Sequence, residues 1–330
     1  MTDAQTRSPA RTALVIGATG GIGHAVAEAL LAHGWTVKAL HREPERARGA
    51  SPDLPVSWVR GDAMSAADVT AAADGADIVF HGANPPGYRR WRELAIPMLA
   101  NAIAAARASG ARLIFPGNVY NFGPDAGVIV DESAPQNPTT RKGAVRVEME
   151  QMLAGAVADG VRSIVVRAGD FLGDASGSWF RAVMVKPDRP LRAVTYPGVR
   201  NIGHAWAYLP DLAETVARLA DIEQDLDAFE VFHFDGHWVD PGVEICHAVR
   251  RAAGKPDLPI RSFPWIAVYL ASPFSPFMRE LLEMRYLWRR PLRLDNRKLV
   301  SRLGAEPHTP LDEAVAQTLA SMGAMPKRSP

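Results

Sequence analysis

The stretch TALVIGATGGIGHAVAEALLAHGWTVKALHRE, residues 12–43, decides the fold. Its first five residues are a short apolar run that reads as a strand, and the run stops at Gly17. Beyond the glycines, Ile22, Val26, Ala29, Leu30 and Ala32 recur at roughly helical spacing, and WTVKAL at 35–40 reads as a second strand. Strand, glycine turn, helix and strand therefore follow one another. Gly17, Gly20 and Gly23 each have a physical task in such a unit: a turn at positive φ, close backbone approach to a pyrophosphate, and tight packing of the helix on the sheet. With Thr19, Gly21 and Ile22 they form the loop whose helix amides would face the phosphates of a dinucleotide. An ordinary glycine turn is the bland alternative; the flanking strand and helix argue against it.

The end of the second strand selects the nucleotide. An acidic residue about 20 positions beyond the glycines would bind the ribose hydroxyls of NAD. Here the strand runs into His41 and Arg42. A guanidinium suits a 2′-phosphate by charge and by its planar fork of donors, so NADP(H) is favoured over NAD(H), with Glu43 the residue that speaks for the other side. Arg42 as a plain solvated cation is the competing account.

The alternation continues. Strand signals at 56–65, 76–84 and 111–123 are separated by alanine-rich helical stretches at 66–74 and 92–108. Short apolar strands between amphipathic helices predict an α/β fold: a Rossmann-type doubly wound parallel sheet, ligands at the carboxyl ends of its strands, and a smaller C-terminal substrate lobe. The expected division is a nucleotide-binding core over 11–175, completed by segments near 201–235, and a discontinuous substrate lobe drawn mainly from 176–330. Asp62 and Ala63 then fall near the adenine, and Gly82, Ala83 and Asn84 beside the middle of the cofactor. His81 reads as a buried histidine bonded to the backbone rather than a catalytic one.

Composition narrows the partners. With 47% apolar residues the 330-residue chain can bury a full core, and 37 basic against 36 acidic side chains leave a net charge of +1. Nothing steers it broadly toward nucleic acid or an anionic membrane, so the expected partner is a small-molecule substrate. A single cysteine, Cys246, rules out an intrachain disulfide and fits a reducing compartment; scattered histidines without shared spacing give no metal site. The opening MTDAQTRSPART lacks an apolar h-region and reads as a frayed tail, making the cytoplasm the default location. The most apolar later run, WIAVYLASPFSPFM at 265–278, is too short and proline-broken to span a bilayer and is expected to be a buried helix or pocket wall. A homodimer is compatible with all of this.

The motifs GATGGIG (17–23), RGDAMS (60–65), VFHGA (79–83), NVYNFG (118–123), VVRAGDFLG (165–173) and AYLPDLAETVARL (207–219) stand in an order that resembles the extended short-chain dehydrogenase/reductases, the NAD(P)-dependent epimerase and dehydratase family. The resemblance implies hydride exchange between a nicotinamide and a carbonyl or alcohol, with a tyrosine passing the proton and a lysine one helical turn later holding the ribose. It also implies a serine or threonine helper at the end of the fifth strand.

PTTRKGAVRVEME, residues 138–150, departs from that pattern. If Glu150 fills the acidic position that often follows the family's lysine by four residues, Arg146 stands at the lysine position and Lys142 at the tyrosine position. Phe115, Pro116, Gly117 and Asn118 occupy the helper's place. Three readings follow. Lys142 could donate the proton, since its ordinary pKa of about 10.4 is near tyrosine's 10 and Arg146 across one turn would lower it. Tyr120 or a bound water could donate it, oriented by Asn118. Or the protein could hold NADP(H) as a sensor without turnover, Lys142 and Arg146 being a solvated helix face with Glu150 paired to Arg146. Losing a positioned acid costs about 10² to 10⁴ in rate, which orientation of donor and acceptor can outweigh. A reductase is therefore favoured, and an epimerase or dehydratase, needing more proton transfer, is disfavoured.

Toward the C-terminus the resemblance puts Gly169, Asp170 and Phe171 at the boundary of cofactor and substrate. Trp179 and Phe180 are candidate pocket walls. His204, Trp206 and Tyr208 alternate, so one face of an extended segment carries all three, lining either an aromatic site or a core. Asp211 reads as a helix cap, and the arginine-rich 277–304 as a solvated face.

Overall fold

The computed structural model describes residues 11–85, 91–173, 175, 177–187 and 189–324; the opening tail, residues 1–10, lies outside them. The first part alternates as the sequence predicts, with α2 as an additional helix that the sequence reading did not contain: β1 (Thr12–Ile16), α1 (Gly21–Ala32), β2 (Thr36–His41), α2 (Pro44–Ala50), β3 (Ser57–Arg60), α3 (Ala66–Ala72), β4 (Ile78–His81), α4 (Trp91–Ser109) and β5 (Arg112–Asn118). A two-residue β6 (Ile129–Val130) precedes α5 (Arg141–Gly155), β7 (Ser163–Ala168), β8 (Asp170–Leu172), β9 (Val194–Tyr196), β10 (His204–Tyr208), α6 (Leu209–Asp221), β11 (Phe229–His233) and β12 (His237–Val239). The chain closes with α7 (Glu244–Ala252), β13 (Ile260–Ser262), α8 (Trp265–Ala271), α9 (Pro276–Glu283), β14 (Arg293–Leu294), α10 (Arg297–Leu303) and α11 (Leu311–Ser321).

Seven strands form one parallel sheet in the order β11-β7-β5-β4-β1-β2-β3. Parallel strands need covering on both faces, which their near-continuous apolar runs require. One face buries Val26, Ala27 and Leu30 of α1 with Leu212 and Val216 of α6; the other buries Val69 of α3, Leu99 of α4 and Val145 of α5. Strand order reverses at β1, which pairs with β2 on one side and β4 on the other. That reversal leaves a crevice at the carboxyl ends of β1 and β4, the place where such sheets take ligands.

Beyond the sheet, a three-stranded layer β12-β10-β8 and the helices α7 and α11 enclose an aromatic core around Trp179, Trp206 and Trp288. The alternation in β10 is resolved toward packing: His204, Trp206 and Tyr208 are all buried. The run at 265–278 is not the buried helix its composition suggests. Only Val268 of α8 is buried, whereas Ile266, Tyr269, Leu270, Phe274 and Phe277 face solvent. Asp211 is no cap either. Its carboxylate accepts from the Thr309 amide at 2.7 Å and from Thr309 Oγ1 at 2.8 Å, tying α6 to the segment before α11. Part of the arginine-rich stretch is likewise fastened rather than solvated: Arg293 is held by Asp235, and Lys298 by the buried Glu230.

Candidate active site

The glycine loop is built for close approach. Gly17 has φ +96°, open to glycine and costly for side-chain-bearing residues, and a Cβ there would stand 2.8 Å from the Ala83 amide nitrogen. A Cβ on Gly23 would lie 2.1 Å from the Gly17 carbonyl oxygen. The loop is thus pressed against the end of β4, where Gly82 donates to Ile16 O at 2.9 Å, and Gly20 turns the chain by donating to Gly17 O at 2.9 Å. Gly20 is also the N-cap of α1 and has no side chain to satisfy the first-turn amides of Gly21, Ile22 and Gly23. Thr19 and Gly20 are exposed at the mouth of this cradle. The residues present therefore fit a dinucleotide's pyrophosphate.

A cleft of about 580 Å³ continues from Thr19 to the end of β2, lined by His41, Arg42, Glu43 and Arg46. Arg42 is exposed, Arg46 reaches Glu43 at 3.1 Å, and Arg60 donates to Arg42 O at 3.4 Å. Three guanidinium-bearing residues thus gather where sequence reasoning found one. Arg46 sits one turn into α2 and Arg60 ends the neighbouring strand, so neither follows the glycines at a telling distance. Just after β3, Asp62 accepts from the Met64 amide at 2.9 Å and Ala63 O accepts from Asn101 at 2.9 Å; across β1, after β4, Asn84 Oδ1 accepts from Trp91 Nε1 at 2.6 Å.

Helix α5 brings Lys142 and Arg146 to the carboxyl end of β5. It starts at Arg141 because Thr140 Oγ1 accepts the Gly143 amide at 3.0 Å. Gly143 lets the helix touch the turn at Tyr120, whose carbonyl would be 2.3 Å from any Cβ. Arg146 donates to Pro116 O at 3.1 Å, its guanidinium 5.1 Å from the Trp91 ring centroid and 5.3 Å from that of Phe115. Asn118 spends its Oδ1 on the Tyr120 amide, 2.9 Å away. Lys142 is buried, with Nζ 3.0 Å from Glu280 Oε2 and 3.1 Å from Glu280 O. Burial lowers its pKa against the opposing pull of Glu280. That carboxylate arrives from α9, 138 residues away, and no local signal announces it.

Two expectations about this region change. His81 is buried as expected, but neither ring nitrogen has a hydrogen-bond partner among the described residues; the ring stacks on Phe115, and burial, then the charge of Arg146, lowers its pKa to about 4. Glu150 does not pair with Arg146. It grips the buried Arg167 of β7 through Oε1 and Oε2, and Arg167 in turn donates to His233 Nε2 at 3.1 Å. His233 Nδ1 donates to Val130 O at 3.1 Å, which fixes the neutral tautomer; burial, then Arg167, lowers its pKa to about 3.

After β7 the chain turns at Gly169, where a Cβ would strike Ala205 O at 2.4 Å. Asp170 then meets His204: Nε2 donates to Asp170 Oδ2 at 2.7 Å, and the imidazole lies on Trp288 with centroids 3.8 Å apart. Burial, then the charge of Asp170, raises the Tyr286 pKa, placing that phenol in the same neighbourhood. Phe171 is half-buried against the core under α1 and α6. His204 was legible only as an aromatic wall, because 34 residues separate it from its carboxylate. Trp179 and Phe180 are buried in the aromatic core. A second cleft, about 720 Å³, opens beyond β11 beside His237, Glu306 and His308, away from the glycine loop. Among the described residues, no group of three or more His, Cys, Asp or Glu side chains is placed to hold a metal ion.

A parallel sheet with a side-chain-free cradle at its reversal point is the arrangement of a dinucleotide-binding fold. In keeping with this, residues 17–119 match the family described as NAD(P)H-binding. A 3-diazoavenalumate denitrifying reductase of a Streptomyces species is 31% identical over 185 residues, 50% of this chain and 57% of that protein. The chain thus matches little more than half the length of that relative. Similar solved structures include UDP-glucose 4-epimerase from Bifidobacterium longum in complex with NAD+ and UDP (TM-score 0.71, 19% identity, 95% of this chain and 100% of that one). UDP-N-acetylglucosamine 4-epimerase from Bacillus cereus is similar as well (TM-score 0.72, 13% identity, 97% and 99%). These show that the chain shares the fold of the 4-epimerase structures.

Proposed function

We propose that the protein is an NADP(H)-dependent oxidoreductase acting on a small carbonyl or alcohol substrate, residues 11–175 and 201–235 holding the nucleotide and 176–330 supplying most of the substrate lobe. The observation that carries the reading is the Gly17–Gly23 cradle, where neither Gly17 nor Gly23 has room for a Cβ against its backbone neighbours. Arg42, with Arg46 and Arg60 beside it, would meet a 2′-phosphate, and Gly82, Ala83 and Asn84 the central part of the cofactor. When bound, the reduced cofactor supplies a hydride. Arg146 would hold the ribose side from its perch between Trp91 and Phe115, and Asn118 and Tyr120 would border the reacting group. Gly169, Asp170 and Phe171 would form the boundary to substrate, Asp170 keeping the His204 proton on Nε2.

A second reading follows if Lys142 stands where the resemblance places a tyrosine. Lys142 Nζ is committed to Glu280, and a carbonyl acceptor would have to take its proton from there, from Tyr120 or from water. An acceptor such as an aryl diazonium asks for no proton: as hydride adds to carbon, the group departs as dinitrogen. The Streptomyces relative is named for a denitrifying reduction of a diazo compound.

The experiment is NADPH oxidation measured against a panel of carbonyls and aryl diazonium salts, with wild type and Lys142→Ala side by side. Carbonyl turnover that falls about 10² to 10⁴-fold in the variant would identify Lys142 as the acid. Diazonium turnover unchanged by the variant would favour the second reading. Tight NADPH binding with no turnover of any acceptor would leave a sensor.

A further inference from the structure

Ten large apolar side chains are exposed among the described residues, and five of them fall between 266 and 277. In α8, Ile266, Tyr269 and Leu270 share one face at helical spacing, while Val268 and Trp265 point inward, Trp265 Nε1 donating to Pro197 O at 2.7 Å. Phe274, 89% exposed, and Phe277, 53% exposed, carry the face across the turn into α9. A contiguous apolar face of this kind marks an interaction surface.

The charge around it indicates what covers it. Between 261 and 290 the chain has five arginines and only two acids, Glu280 and Glu283. Both acids are turned toward the core, at 3.0 Å from Lys142 and 2.8 Å from Arg141. Arg261, Arg279, Arg289 and Arg290 are exposed. The outward chemistry is therefore apolar and aromatic with a cationic fringe. A second copy docking through the same face would bring arginines against arginines. A headgroup layer of negative charge over an acyl interior complements both parts of the surface.

We propose that the α8–α9 hairpin docks on the surface of an anionic lipid bilayer, Ile266, Leu270, Phe274 and Phe277 entering the acyl boundary and the arginines contacting headgroups. The contact is interfacial, since no helix among the described residues is long and apolar enough to cross a membrane. It does not depend on the cofactor reading.

Flotation of the full chain with vesicles of equal parts phosphatidylcholine and phosphatidylglycerol tests this. The wild type should float with these vesicles, and at least tenfold less with pure phosphatidylcholine or at high salt. The double variant Leu270→Ser/Phe274→Ser should lose at least tenfold in bound fraction while keeping its melting temperature. In a separate Phe274→Trp variant, emission should shift to the blue on adding the mixed vesicles. Absence of wild-type flotation, equal flotation of the double variant, or an unshifted spectrum would overturn the proposal. So would light scattering that showed a dimer broken by the double variant, with no vesicle binding by either protein.

Discussion

At the scale of single residues, Arg42 separates charge from geometry. The proposed cradle would meet the pyrophosphate that NAD and NADP share, so a preference between them would come from the cleft at the end of β2. There Arg42 is exposed and makes no ion pair among the described residues, whereas Arg46 is engaged by Glu43. A hydrogen bond to a charged group contributes about 1.5–3 kcal/mol, a factor of roughly ten to a hundred in affinity. Thermal shifts should therefore be larger with NADPH than with NADH for the wild type and nearly equal for Arg42→Ala. Equal shifts in the wild type would remove the NADP assignment and leave the dinucleotide one standing. Arg42 was legible because it follows the glycines at a spacing with a chemical meaning. Arg46 and Arg60 were not, since what unites them is the adjacency of β2, α2 and β3 in space.

At the scale of elements, α5 is held to the sheet by a charge pair that its own sequence does not announce. The spacing of Arg146 and Glu150 invites an intrahelical pair worth only a few tenths of a kcal/mol. The fold instead turns Glu150 under the helix to the buried Arg167 of β7, with its nearest contact at 2.6 Å, and leaves Arg146 to Pro116 and two aromatic rings. Removing one partner of a buried pair leaves an uncompensated charge and costs about 3–5 kcal/mol. Glu150→Gln should accordingly lower the urea midpoint far more than Asp312→Asn, which breaks the exposed Arg251 pair and should cost at most about 1 kcal/mol. Similar losses in the two variants would mean that Arg167 finds compensation elsewhere. Local periodicity made β1 through β5 readable, because each strand, and each helix except α2, announces itself within a dozen residues. The Asp170–His204 and Lys142–Glu280 contacts join positions 34 and 138 apart, and no window of sequence contains both ends. In α8 the apolar pattern was visible, but composition does not say which side of a helix the rest of the chain will cover.

At the scale of the whole molecule, buried histidines decide the response to acid. His81, His233 and His237 lie under different parts of the fold, and burial is the first cause that lowers the pKa of each, to about 4, 3 and 4. Their unfolded value is about 6.5. Between those limits the unfolded chain binds protons that the folded chain refuses, so stability is complete above about pH 6.5 and falls as pH drops through the window toward 4. His33 acts in the opposite sense. Burial opposes its charge, but hydrogen bonds to Asp221 and Glu214 prevail and raise its pKa, so its contribution is present below about pH 6.5 and is lost as pH rises through the folded pKa. Three sites against one predict a melting temperature that declines from pH 7 to pH 5. For His81 alone the penalty at pH 5 is about 2 kcal/mol. Since its ring makes no hydrogen bond among the described residues and stacks on Phe115, His81→Phe should preserve the packing and remove the titration. The variant should melt close to the wild type at pH 7.5 and above it at pH 5; parallel curves across that range would show that His81 is not neutral and buried in solution.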